Sequence, residues 1–157
     1  MQFKFSRFLL GIVLFAVTLP YLAFSQTEGN SERPVFNHAA LCAKDLKKTT
    51  AFYTTVLRLQ KISNPFNDTL HTWLKIGPGL ALHIIRADCP PMHYDISLHL
   101  CFSVPSLDAF IHHLDKLSVK YGNWTGQSKV VTLRPDGVHQ IYFQDPDGFW
   151  IEVNDAK

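Results

Sequence analysis

Three histidines and one glutamate in this chain are of types, and at spacings, that can hold a divalent cation. They are His38, His83, His99 and Glu152, and they fall into two pairs. His38 and His99 each stand eight residues before a leucine that opens a helical stretch, Leu46 and Leu107. His83 and Glu152 each follow a turn glycine, Gly79 and Gly148, by four residues. Neutral imidazoles and a carboxylate form a borderline-hard donor set. Such a set suits zinc, nickel, manganese, cobalt or ferrous iron better than cuprous copper or calcium. One divalent ion held by all four side chains is the chemistry this pattern predicts.

Side chains can converge on an ion only if rigid elements hold them. Apolar patterning predicts strands over residues 35–43, 59–62, 70–76 and 80–86. A helix over 44–57 carries Leu46, Phe52, Tyr53, Val56 and Leu57 near helical spacing. A connector over 87–94 contains Pro90 and Pro91, and the order then repeats. A strand over 95–104 leads to a helix over 105–117. Weaker strand material within 121–133 precedes strands over 138–144 and 149–154. Asp145-Pro-Asp-Gly148 separates the last two as a tight turn, because proline presets one dihedral and glycine accepts positive φ. The pattern is βαβββ twice, an α+β fold of two modules at about 35–87 and 95–155.

Alternation along a strand then sorts the side chains. His99 shares a face with Ser97, Cys101 and Ser103, and Glu152 with Trp150 and Asn154, while the opposite faces are apolar. Phe36, Ala40 and Cys42 accompany His38, so that strand is less decisive. An unpaired carboxylate in the middle of a buried strand is costly, and a cation would relieve that cost. Of the other histidines, His112 and His113 fall on the second helix, and His71 and His139 lack repeat partners. His93 lies in the connector. All five read as ordinary surface or loop residues. Arg86 and Arg134 are candidates for an anionic ligand, against the commoner role of solvated surface arginine.

The first 25 residues read as a secretory signal. Lys4 and Arg7 precede an apolar run broken by Pro20, and Ala23 and Ser25 mark a cleavage site before Gln26. Residues 26–34 form a polar, flexible linker to a single domain over 35–157. The protein is therefore expected to be exported, periplasmic or secreted, with no stable membrane insertion after cleavage. Losing Lys4 and Arg7 leaves 13 basic side chains against 13 acidic ones, a balance that gives no footing for nucleic acid. Cys42, Cys89 and Cys101 are odd in number and lack CxxC spacing, so they do not read as a disulfide framework. Cys42 and Cys101 read as buried free thiols in strands, although export permits a single bridge.

Several segments together resemble the vicinal oxygen chelate superfamily, of the glyoxalase I, bleomycin-resistance and extradiol dioxygenase type. They are His38-Ala-Ala-Leu, Asp45-Leu46, Phe52-Tyr53, Leu57, His99-Leu-Cys-Phe-Ser-Val and Tyr142-Phe-Gln-Asp-Pro-Asp-Gly-Phe-Trp-Ile-Glu152. The resemblance spans residues 35–155. It implies curved mixed sheets around a metal cleft, often in a homodimer with sites at a module interface. It also implies a small-molecule substrate, and places the metal on His38, His83, His99 and Glu152. The shared chemistry is chelation of vicinal oxygens by the metal, with Glu152 as both ligand and base in a glyoxalase-like lyase or isomerase. Glyoxalase I commonly has a carboxylate or amide where this chain has His83, so the sequence departs from that pattern. A ferrous dioxygenase using His38, His99 and Glu152, with His83 as acid or base, is the alternative. A binding protein stacking ligands on Trp73, Trp124 or Trp150 is a third.

Overall fold

The computed structural model describes residues 33–90 and 93–157. The expected signal and all but the end of the expected linker lie outside the described residues. Between them, two sheets repeat one strand order. The first holds β1 (His38–Ala43), β2 (Gln60–Ile62), β3 (His71–Gly77) and β4 (Leu80–Arg86), with helix α1 (Leu46–Thr55) after β1. The second holds β5 (His99–Ser103), β6 (Thr132–Leu133), β7 (His139–Gln144) and β8 (Trp150–Asn154), with α2 (Leu107–Lys116) after β5. The orders are β1-β4-β3-β2 and β5-β8-β7-β6, each with one parallel pair and two antiparallel pairs. This is the expected α+β pair of βαβββ modules.

Both opening strands begin later than their apolar patterning suggests. Pairing with β4, which starts at Leu80, begins only at Asn37, whose oxygen accepts from Ala81 N–H (3.3 Å), and Val35 and Phe36 are left exposed. Residues 95–98 instead form a turn, in which Leu98 N–H donates to Asp95 O (2.9 Å) and Ser97 N–H to Asp95 Oδ1 (2.8 Å). Capping sets the helix starts. Asp45 Oδ1 accepts from Lys48 N–H (3.0 Å), and Ser106 Oγ from Ala109 N–H (3.2 Å), each using one amide that the first turn leaves unpaired.

The core lies between the helices and the apolar sheet faces. Leu41, Leu74, Leu82 and Ile84 line it from the first sheet, and Ile141, Phe143, Ile151 and Val153 from the second. The modules are also joined by polar contacts at the Asp145–Gly148 turn. Asp145 Oδ1 accepts from Asp147 N–H and Phe149 N–H (both 2.9 Å), which fixes the turn. Asp145 Oδ2 accepts from the buried Tyr53 hydroxyl (3.0 Å). Asp147 accepts from Thr49 Oγ1 and Lys44 N–H. One turn of the second module thus fastens three points around α1 of the first. This gives the Phe52-Tyr53 pair of the resemblance a structural role.

Cys42 is not a free thiol. It is bonded to Cys89, tying β1 to the connector between the modules. The two cysteines differ in setting, one on a strand and one in a Pro-rich segment, so their partnership has no local spacing signal. Cys101 is free but solvent-exposed rather than buried, because it lies on the polar face of β5.

Candidate functional site

Register places the four candidate ligands in the same way in both sheets. In the first, Ala40 pairs with His83 across the parallel β1–β4 ladder, so His38, two residues earlier, shares their face. In the second, Cys101 pairs with Glu152 across β5–β8, and His99 stands two residues earlier. The repeat seen in the sequence is therefore a repeat of position. Within this chain the structure brings the ligands together as two pairs. His38 and His83 lie with ring centroids 6.0 Å apart, and His99 Nε2 lies 3.2 Å from Glu152 Oε2. Among the described residues, no group of three or more His, Cys, Asp or Glu side chains gathers tightly enough to hold a metal ion.

Each pair has features of prepared ligands. His99 Nδ1 donates to the backbone oxygen of Ile96 (2.7 Å), which fixes the ring with Nε2 directed at Glu152 Oε2. His38 Nδ1 contacts Asn37 Oδ1 (2.8 Å), leaving its Nε2 free in the same way. His83 is buried, and its Nε2 has no hydrogen-bond partner. Burial, followed by the neighbouring His71 and His38, lowers its proton affinity and keeps it neutral. A buried nitrogen without a partner is uncommon in native proteins, and a ligand or cation would satisfy it. These residues fit a divalent metal.

Glu152 does not need a metal to remain buried, contrary to the argument from strand burial alone. Its Oε2 accepts from the Tyr142 hydroxyl (2.7 Å), and its Oε1 from Asn154 Nδ2 (2.9 Å) and Cys101 Sγ (3.3 Å). Burial pushes its proton affinity up, but these hydrogen bonds and His99 outweigh it, so the carboxyl sits below its ordinary value. Behind it, Gln140 Nε2 donates to the Tyr142 oxygen (2.7 Å). Cys101 is exposed as a residue, but its sulfur is packed against Glu152 and Asn154, and that local desolvation with the Glu152 contact pushes the thiol up to about 12, so it stays protonated.

The first sheet also holds residues that the repeat did not reveal. His71 faces the same side as Trp73 and His83, with its ring centroid 5.1 Å from that of His83, and its Nδ1 contacts Asp68 Oδ2 (2.7 Å). Trp73 stacks on His83 at 4.0 Å, and Phe66 lies nearly parallel to His83 at 5.7 Å. His71 has no repeat partner, but its alternation with Trp73 along β3 was a usable signal. Arg134 lies near Glu152, its NH1 4.0 Å from Oε1, while its NH2 pairs with Asp136 (2.6 Å). His139 pairs with Asp155, and His113 joins Arg58 and Thr55 O at the module boundary, away from both pairs.

Each βαβββ module carries one pair of candidate ligands on its parallel strands. The family model described as "Glyoxalase/Bleomycin resistance protein/Dioxygenase superfamily" matches residues 35–153, and the chain belongs to that family. A lactoylglutathione lyase of Pseudomonas putida is 27% identical over 169 aligned residues, covering 87% of this chain and 92% of that protein. Among solved structures, a putative glyoxalase family protein from Bacillus anthracis is similar with a TM-score of 0.62 at 24% identity. The match covers 80% of this chain and 97% of that one. The fosfomycin resistance protein FosX from Listeria monocytogenes gives 0.61 at 23% identity, covering 80% and 93%. At these identities the two structures speak for the fold.

Proposed function

We propose that this chain is an exported, metal-dependent enzyme of the lyase or isomerase type, acting on a small substrate with vicinal oxygens. Its site is completed across a homodimer: His38 and His83 of one copy meet His99 and Glu152 of the other. The observation that carries the reading is His99 Nε2 facing Glu152 Oε2 at 3.2 Å while Nδ1 is tied to Ile96 O. The unsatisfied Nε2 of His83 on the first sheet is its counterpart. Similarity to a lactoylglutathione lyase over most of both chains supports the reaction type. The Cys42–Cys89 bond supports export, because such bonds persist in oxidising compartments.

A divalent ion at this site would act as a Lewis acid on the substrate's two oxygens, lowering the cost of removing a neighbouring proton. The chain's own residues do the rest. Tyr142 and Asn154 orient the Glu152 carboxylate and keep it ionised, so that it can accept that proton. Gln140 fixes the Tyr142 hydroxyl toward Glu152. His83, neutral and stacked on Trp73, presents Nε2 as a lone-pair donor.

Complementation tests the assembly. A His38→Ala/His83→Ala chain and a His99→Ala/Glu152→Gln chain should each bind no zinc. Their mixture should regain one site per heterodimer, read by elemental analysis. A monomer in sedimentation, or failure of the wild type to bind any metal, would sink the proposal. A second reading, the ferrous dioxygenase, draws on the burial of His83 beside Trp73, which suits a residue outside the coordination set. Unchanged iron content in His83→Ala, with oxygen uptake on catechols, would favour it.

A further inference from the structure

Each ligand pair carries one exposed aromatic ring to which metal binding gives no role. Beside the first sheet it is Phe66, 56% exposed, which lies 5.7 Å from His83 and 4.5 Å from His71. On the second it is Trp124, 45% exposed, edge-on to Tyr142 at 5.6 Å, whose hydroxyl holds Glu152. Lone exposed rings are common on surfaces. These two, however, sit beside the two candidate half-sites. Phe66 follows β2 and Trp124 precedes β6, so duplication of one position does not account for them.

Trp124 is also held in place. Asn123 Oδ1 accepts from Gln127 N–H (2.8 Å) and Thr125 Oγ1 (3.0 Å), and Gly126 N–H donates to Asn123 O (3.0 Å). The turn closes so tightly that a Cβ on Gly122 would lie 2.6 Å from Gln127 O. The turn fixes the backbone that carries Trp124, so little chain ordering remains to be lost when the ring meets a ligand. Trp124 lines a cavity of about 640 Å³ with Leu133, Arg134, Tyr142 and Glu152. Arg134 NH1 makes no hydrogen bond there and is 4.0 Å from Glu152 Oε1, so it can donate to a substrate oxygen.

We infer that the substrate carries a planar aromatic group, held by Phe66 of one half-site and Trp124 of the other, with an oxygen accepting from Arg134. The Phe66 contact rests on the proposed dimer. The Trp124 contact belongs to one half-site and is readable without a metal.

Benzoylformate and pyruvate are suitable probes, being 2-oxo acids of equal charge that differ in the ring. Calorimetric titration of the full chain, with and without zinc, should give at least about tenfold tighter binding of benzoylformate. Trp124→Ala and Phe66→Ala should each narrow that ratio toward unity, and Arg134→Gln should weaken both probes together. Equal binding of the two acids, binding of neither, or an unchanged ratio in both ring variants overturns the inference. So does conversion of a dimer to monomers by Trp124→Ala, since the ring would then be a subunit contact. If zinc fails to bind while the ring preference persists, the metal reading falls and the aryl site stands.

Discussion

Glu152 is held by three protein donors, and each hydrogen bond favours the ionised carboxylate. Tyr142→Phe removes the one to Oε2, so the carboxyl should titrate higher than in the wild type. Carbon-detected NMR of the glutamate carboxyls in metal-free protein checks this, and an unchanged midpoint would refute it. The linkage sign follows from the same shift. A carboxyl depressed below its ordinary value of 4.5 stabilises the fold above that pH, and the contribution is lost as pH falls through the folded value. Metal-free Glu152→Gln should therefore lose less stability on acidification than wild type, measured by urea unfolding across pH 3–6 (a range set to bracket carboxylate titration). The four candidate ligands were legible in the sequence because the duplication repeats their positions. Asp68 and Phe66 were not legible, because loop path brings them to the first pair, while His71 and Arg134 were visible as residues but not in their relation to the pairs.

At the scale of elements, the Asp145–Gly148 turn does more than reverse the chain. Tyr53 and Asp145 are both buried, and their hydrogen bond crosses from the first module to the second. Tyr53→Phe leaves Asp145 Oδ2 without that donor in a buried setting, which should cost about 1–3 kcal/mol of stability. The denaturation midpoint should fall at constant slope, and a midpoint matching wild type would show that the bond adds nothing. Element types were readable from apolar periodicity, including the clear strand at β7 and the helix starts. Strand ends were less so, because a strand stops where its partner stops, and Val35 and Phe36 have apolar side chains but no opposing strand. The short β6 is set by pairing with β7 through Thr132 and Leu133, and by no pattern of its own.

For the whole molecule, duplication gives two sheets of one design, but the chain between them is fastened asymmetrically. The Cys42–Cys89 bond joins the first strand to the connector across a sequence separation of 47. Cross-linking removes conformations from the unfolded chain, and a loop of this size corresponds to about 4 kcal/mol in the chain-entropy account. Measured effects commonly fall at about 2–4 kcal/mol. Cys42→Ser/Cys89→Ser should lower stability by that amount, and dithiothreitol should lower the wild-type melting temperature toward that of the variant. Cys101→Ser should leave the response to reductant intact, since Cys101 takes no part in the bridge. The comparison also bears on where the protein works. In a reducing compartment the wild type would melt like the double variant, so a bonded pair in protein recovered from its native source, read by mass spectrometry before any reduction, is the result that export requires. Free thiols at both positions in that material would remove the structural support for export while leaving the two half-sites untouched.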